Sequence, residues 1–210
     1  MVLMLFIVAV PFIEPTAIGR FAISVASTLI IVAAVASVGR STLPFTIAVV
    51  LAVPALAFQW LALSGADPGA LVKSLCFDAL LYAATIVYLL RYVFQREVMT
   101  ADKLFGAASA YLLIGFFWAY LYSLVDYFYK DSFFLFGSRT SATFYDLVYF
   151  SFTVLTSTGF GDITPFSRPA RGICVVEQIV GALFVAILIA RLAGVYPPQN
   201  RQRPDRTNGN

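Results

Sequence analysis

Apolar residues gather into runs along this chain, and five runs are long enough to cross a bilayer, which takes about 20 helical residues. They lie near 21–38, 43–63, 71–90, 104–125 and 171–195. A sixth run, Met1 to Ile13, is shorter and stops at Glu14-Pro15. It lacks the positive start and small-residue cleavage site of a secretory signal. Two readings stay open for it: a true span with a thinned start, or a helix lying in the interface. Polar breakers separate the runs. Gly39-Arg40-Ser41-Thr42 is a tight connection, Gly65-Ala66-Asp67-Pro68-Gly69 a turn, and Arg91 to Lys103 a polar connector. Tyr196-Pro197-Pro198 stops the last run, and the polar tail Gln199 to Asn210 is expected to be disordered. The pattern predicts an all-α membrane protein with about six transmembrane helices.

Composition agrees. Of the 210 residues, 60% are hydrophobic and 12% charged, with a mean hydropathy of +0.87. Soluble domains carry about twice that share of charge, and a chain this small cannot hide so much apolar surface from its solvent. Lipid is therefore its partner. The net charge of +3 is too small to argue for nucleic acid. No histidine is present, which removes the commonest general base and metal ligand. Cys76 and Cys174 sit in apolar runs without metal-ligand spacing and read as buried thiols.

Positive charge stays beside short cytoplasmic loops. With the tail inside, Arg40, Arg91, Arg96, Lys103, Arg191, Arg201, Arg203 and Arg206 fall inside, eight of the fourteen cations. Of the eleven acids only Glu97, Asp102 and Asp205 join them. The other face is acidic, which concentrates cations there.

Between the last two long runs lies TFYDLVYFSFTVLTSTGFGDITP, Thr143 to Pro165. Thr143 and Asp146 have the spacing of a helix start. From there to Leu155 is about 18 Å of helix, too short to cross, so the segment is expected to enter the membrane and return. Returning backbone at that depth needs protein, water or an ion for its polar groups. Gly159 and Gly161 reach positive φ freely. Alternated with Thr158 and Phe160, they let successive carbonyls turn to one side.

At Thr156-Ser157-Thr158-Gly159-Phe160-Gly161-Asp162 the chain resembles the bacterial potassium channel family, whose usual filter reads TVGYG. The resemblance covers roughly 104–195, including a final helix with a central glycine. It implies a re-entrant pore helix and selectivity filter between the last two spans, in a homotetramer lying in the cell (inner) membrane with its tail cytoplasmic. It further implies K⁺ as the permeant ligand at Ser157, Thr158, Gly159 and Phe160, without a cofactor and without enzyme activity. By the same resemblance Tyr149, Thr153 and Glu177 support the filter, Asp162 reaches back to the short helix, and Gly181 is the gating hinge. Ser157, Thr158 and Phe160 depart from the family's usual Thr, Val or Ile, and Tyr. Thr153 stands where some members have an acid. These changes bear on the filter's durability more than on its ion preference.

Three parts follow: N-terminal membrane helices over 1–95, an ion-channel pore domain over 104–195, and a basic tail over 197–210. With so short a tail, a ligand-sensing domain on that side is not expected. Asp78 and Lys73 invite a voltage-sensing reading, but Leu71 to Leu90 contains no arginine, whereas a sensor needs several. Glu177 in a spanning helix reads either as a brace behind the filter or as an acid near the interface. Gly181, beside the small-residue stripe Ala182, Ala186, Ala190 and Gly194, reads as a hinge or as a packing glycine. The aromatics Tyr127, Phe128, Tyr129, Phe133, Phe134 and Phe136 read as an interfacial belt and packing over the short helix. A non-selective cation channel of the same fold is the nearest alternative. A transporter predicts paired broken helices, and no second Gly-Phe-Gly break occurs.

Overall fold

The computed structural model describes residues 4, 17–37, 42–65, 67, 69–95, 100–139 and 142–194. Their helices are α1 (Ala17–Ser37), α2 (Thr42–Ser64), α3 (Ala70–Val93), α4 (Ala101–Phe128), α5 (Phe144–Leu155) and α6 (Arg168–Gly194). Four are long and apolar enough to cross a membrane: α2, α3, α4 and α6 through Ala193. In α1 the apolar stretch is shorter, Ser24–Ala36. Thus four of the six expected spans are seen. The run Met1 to Ile13, apart from Met4, and the tail lie outside the described residues.

Helix ends show why some boundaries were misplaced. Helix α4 starts at Ala101, earlier than its apolar run, because the Thr100 side chain accepts the Lys103 amide (3.4 Å) and Asp102 occupies the first turn. Lys103 is then buried, its Nζ 6.0 Å from the Tyr92 ring centroid. The polar connector from Arg91 to Lys103 shrinks accordingly, since α3 continues to Val93. Helix α5 begins as its sequence predicts. Thr143 Oγ1 accepts the Asp146 amide, and the Asp146 carboxylate accepts the Thr143 amide.

Helix α3 packs against both α2 and α4, and α4 against both α5 and α6. The main core runs through this set: Tyr82 and Leu89 of α3, Phe116 and Tyr122 of α4, Phe150 and Leu155 of α5, Phe184 of α6. The short helix α5 is thereby wedged between two long ones.

An all-α fold was expected, and a small sheet corrects it. Strands β1 (Phe133–Leu135), β2 (Ser138–Arg139) and β3 (Ile163–Pro165) pair antiparallel in the order β2-β1-β3. Two or three residues are too few to display a period of two, and an unbroken aromatic run hides what alternation there is. The two-residue hairpin Phe136-Gly137 has φ of 49° and 81°, the positive values such a turn requires. The sheet clamps the chain on either side of α5. Phe136 donates its amide to the Asp162 carbonyl (2.8 Å), and Phe166 donates to the Ser132 carbonyl (2.7 Å). Within β1, Phe133 is fully buried, edge-on to Tyr122 (5.6 Å) and Phe150 (5.5 Å). Tyr127, Phe128, Tyr129 and Phe136 remain exposed.

Phe133→Ala should cost about 3–5 kcal/mol, the usual range for emptying a buried phenylalanine site. Thermal unfolding of the purified protein in detergent measures this, and an unchanged midpoint would show that the aromatic cluster does not hold the sheet in place.

Candidate functional site

Helix α5 ends at Leu155, and its last carbonyls need partners that the helix itself cannot supply. The following loop supplies most of them. Phe152 O accepts the amide (3.1 Å) and the hydroxyl (2.7 Å) of Thr156. Val154 O accepts the Ser157 amide at 2.9 Å. Thr153 O accepts two amides, from Thr158 (2.9 Å) and Gly159 (3.1 Å). Leu155 O accepts the hydroxyl of Tyr111, reaching over from α4, at 3.2 Å.

The loop is thus hung from α5 by its amides, while its carbonyls point elsewhere. Among the described residues, no hydrogen-bond donor reaches the carbonyls of Thr156, Ser157, Thr158, Gly159, Phe160 or Gly161. Positive φ recurs at every second position: Ser157 (57°), Gly159 (53°) and Gly161 (82°). Ser157 is the surprise, because a side chain makes that conformation costly. The whole stretch from Thr156 to Gly161 is exposed in the single chain.

Asp162 closes the loop. Its Oδ2 accepts the Tyr149 hydroxyl at 2.8 Å and its Oδ1 the Ile163 amide at 3.0 Å. Tyr149 also lies parallel to Phe160, ring centroids 6.5 Å apart. Thr153, expected as a support of this loop, is not among the hydrogen-bond partners of Asp162. Its hydroxyl turns to Phe150 O (2.8 Å), and its main-chain oxygen meets the loop instead. Thr156 spends its proton on Phe152 O, so in the 2.8 Å contact between the two hydroxyls Thr158 donates to Thr156.

Compared with known families, residues 75–196, more than half of the chain, match the one described as ion channel. The chain belongs to this ion channel family. No curated protein and no solved structure matches it. The family match begins within α3, earlier than the stretch from residue 104 that the sequence motif covered.

In this channel Glu177 is not among the hydrogen-bond partners of Asp162. It is fully buried, with its carboxyl group between the Tyr122 hydroxyl of α4 and Ser151 of α5. Neither partner was singled out from the sequence, since a tyrosine and a serine on apolar helices carry no signal of their own. Lys73, one of the two charges considered for sensing, pairs with Asp67 at 2.8 Å where α3 begins. The Lys73 ammonium, through that hydrogen bond first, holds the Asp67 carboxyl below its usual range. Asp78 is buried beside Tyr82 and Tyr120, and its Oδ1 has no hydrogen-bond partner among the described residues.

Helix α6 runs unbroken through Gly181. What the geometry requires there is absence of a side chain: a Cβ would run into the backbone oxygen of Leu155. Alanine normally gains about 1 kcal/mol over glycine inside a helix. Here the main chain of α5 cannot step aside cheaply, and overpacking of this kind costs about 1–3 kcal/mol. Gly181→Ala should therefore lower the thermal unfolding midpoint of the detergent-solubilised channel. A raised midpoint would mean that the two helices are not pressed together at this point.

Proposed function

We propose that the chain is one subunit of a tetrameric potassium channel, and that Thr156 to Asp162 is its selectivity filter. One observation carries this reading: among the described residues six consecutive carbonyls have no protein donor, in a loop whose first four amides, Thr156 to Gly159, are held by α5. Unpartnered carbonyls at membrane depth are tolerated where they line a water-filled path or meet an ion. Four such loops around an axis form stacked oxygen rings able to replace the hydration shell of K⁺. Four copies also account for the exposure of the loop in one chain.

In this reading Ser157 supplies a carbonyl and a hydroxyl to the innermost site, and Thr158, Gly159 and Phe160 supply carbonyls further out. Helix α5 is the re-entrant pore helix, and α4 and α6 surround it as the outer and inner helices of the pore. Its C-terminal end carries the negative pole of the helix dipole into the loop. Tyr149 holds the outer end of the filter through Asp162, doing with a phenol what Phe160 cannot do without one. The remaining helices flank the pore and lack an arginine ladder, so opening responds weakly to voltage. The protein lies in the cell membrane with its basic tail in the cytoplasm. Gating by bending at Gly181 would have to break the contact with Leu155.

Alanine replacement separates a backbone filter from a side-chain filter. A Cβ at Gly159 meets open space within the chain, so Gly159→Ala acts through backbone strain, about 1–2 kcal/mol for an L-residue at positive φ. Multiplied over four subunits, that should turn at least one carbonyl ring and abolish potassium flux or its preference over sodium. Ser157→Ala keeps its carbonyl and should weaken the innermost site with selection retained, while Phe160→Tyr should leave selection intact. The measurement is ⁸⁶Rb⁺ against ²²Na⁺ uptake into vesicles holding purified protein. Normal selection in Gly159→Ala together with none in Ser157→Ala would refute the carbonyl mechanism. Equal uptake of both ions by the unaltered protein would favour a non-selective cation channel.

A further inference from the structure

Glu177 is a buried carboxyl group in a membrane protein, and among the described residues no lysine or arginine pairs with it. An unpaired carboxylate there is expensive. Its neighbours reveal how it is held. The Tyr122 hydroxyl donates to Oε2, and Ser151 Oγ lies 2.5 Å from Oε1. The same Ser151 Oγ lies 2.7 Å from the carbonyl oxygen of Gly115.

A serine hydroxyl has one hydrogen, and a carbonyl has none to give. If both contacts are hydrogen bonds, the Ser151 hydrogen goes to Gly115 O. The hydrogen between Ser151 and Glu177 must then come from Glu177. A carboxylate would leave one of the two contacts without a hydrogen.

We infer that Glu177 works as a neutral carboxylic acid, a positioning residue that donates to Ser151 and accepts from Tyr122, fastening α6 to α4 and α5 behind the conducting loop. The inference rests on the proposed filter for its functional consequence, though not for the protonation itself. The connection to the filter is short. Ser151 stands two residues before Thr153, whose carbonyl holds the Thr158 and Gly159 amides. One helical turn beyond Glu177, Gly181 meets Leu155 O. The same face of α6 therefore touches α5 at a hydrogen-bonded point and at a close-packed one, which together set its register. The ionisable groups around Glu177 are Tyr122 and Tyr111 on α4 and Cys174 on its own helix, none of them a cation that would favour the charged form.

The full-length channel, purified and placed in lipid vesicles, tests this with two readouts. The infrared difference spectrum of wild type minus Glu177→Gln at neutral pH should contain the carbonyl band of a protonated carboxyl group. Glutamine is a close match for the neutral acid, since its NH₂ can donate to Ser151 and its oxygen accept from Tyr122. Glu177→Gln should therefore keep ⁸⁶Rb⁺ flux within about twofold, whereas Glu177→Ala should cut it roughly tenfold or more, as losing two buried hydrogen bonds implies. Carboxylate bands in place of the acid band overturn the inference. So does a glutamine variant that fails to assemble or conducts as poorly as the alanine one. A wild type that takes up sodium as readily as ⁸⁶Rb⁺ overturns the potassium reading instead, and the infrared bands still decide the state of Glu177.

Discussion

A peptide carbonyl in an apolar setting has to find a donor, water or a cation, and this requirement organises the chain from α5 to β3. At the end of α5 each of the last four carbonyls has a partner: the amides of Thr156, Ser157, Thr158 and Gly159, the Thr156 hydroxyl, and the Tyr111 hydroxyl. Using those amides inward leaves the next six carbonyls, Thr156 to Gly161, without a donor among the described residues. Positive φ at Ser157, Gly159 and Gly161 is the conformational cost of that arrangement. The two glycines bear it without a side-chain penalty; Ser157 does not.

Such a loop keeps its shape only if its frame is stiff. Stiffness comes from packing on three sides. The sheet holds the exit of the loop against the chain that precedes α5, and Phe133, Tyr122 and Phe150 form an aromatic cluster beneath it. Tyr149 holds Asp162 at the outer end. On the remaining side α6 comes so close at Gly181 that only glycine fits, and one turn earlier Glu177 meets Ser151 and Tyr122. Movement of the last helix is thus coupled by contact to the helix that carries the loop.

Much of this was legible in the residues. The long apolar runs at α2, α3, α4 and α6 and the Thr143–Asp146 start of α5 have strong local signals, hydrophobic length in one case and reciprocal capping in the other. The alternation of Gly159 and Gly161 likewise announces an unusual backbone. What escaped notice depends on tertiary contact. Strands of two or three residues have no readable period. Positive φ at Ser157 accompanies the turn that brings the next two amides, of Thr158 and Gly159, back to Thr153 O, and serine has no preference for it. That the carbonyl of Thr153 holds the Thr158 and Gly159 amides is set by the turn of the loop and has no signal in the sequence. Ser151, Tyr122 and Tyr111 look like ordinary helix residues until folding sets them beside Glu177 and Leu155. The start of α4 was missed because Asp102 and Lys103 look like loop, whereas the first serves the helix terminus and the second is buried over Tyr92.

The central claim is that partnerless carbonyls select potassium. The most direct measurement is the reversal potential of purified protein in a planar bilayer with potassium on one side and an equal concentration of sodium on the other. Potassium selection predicts a large bi-ionic reversal potential with the potassium side negative, because the spacing of rigidly hung oxygen rings favours the larger ion. A reversal potential near zero would contradict it: the loop would then conduct cations without choosing among them.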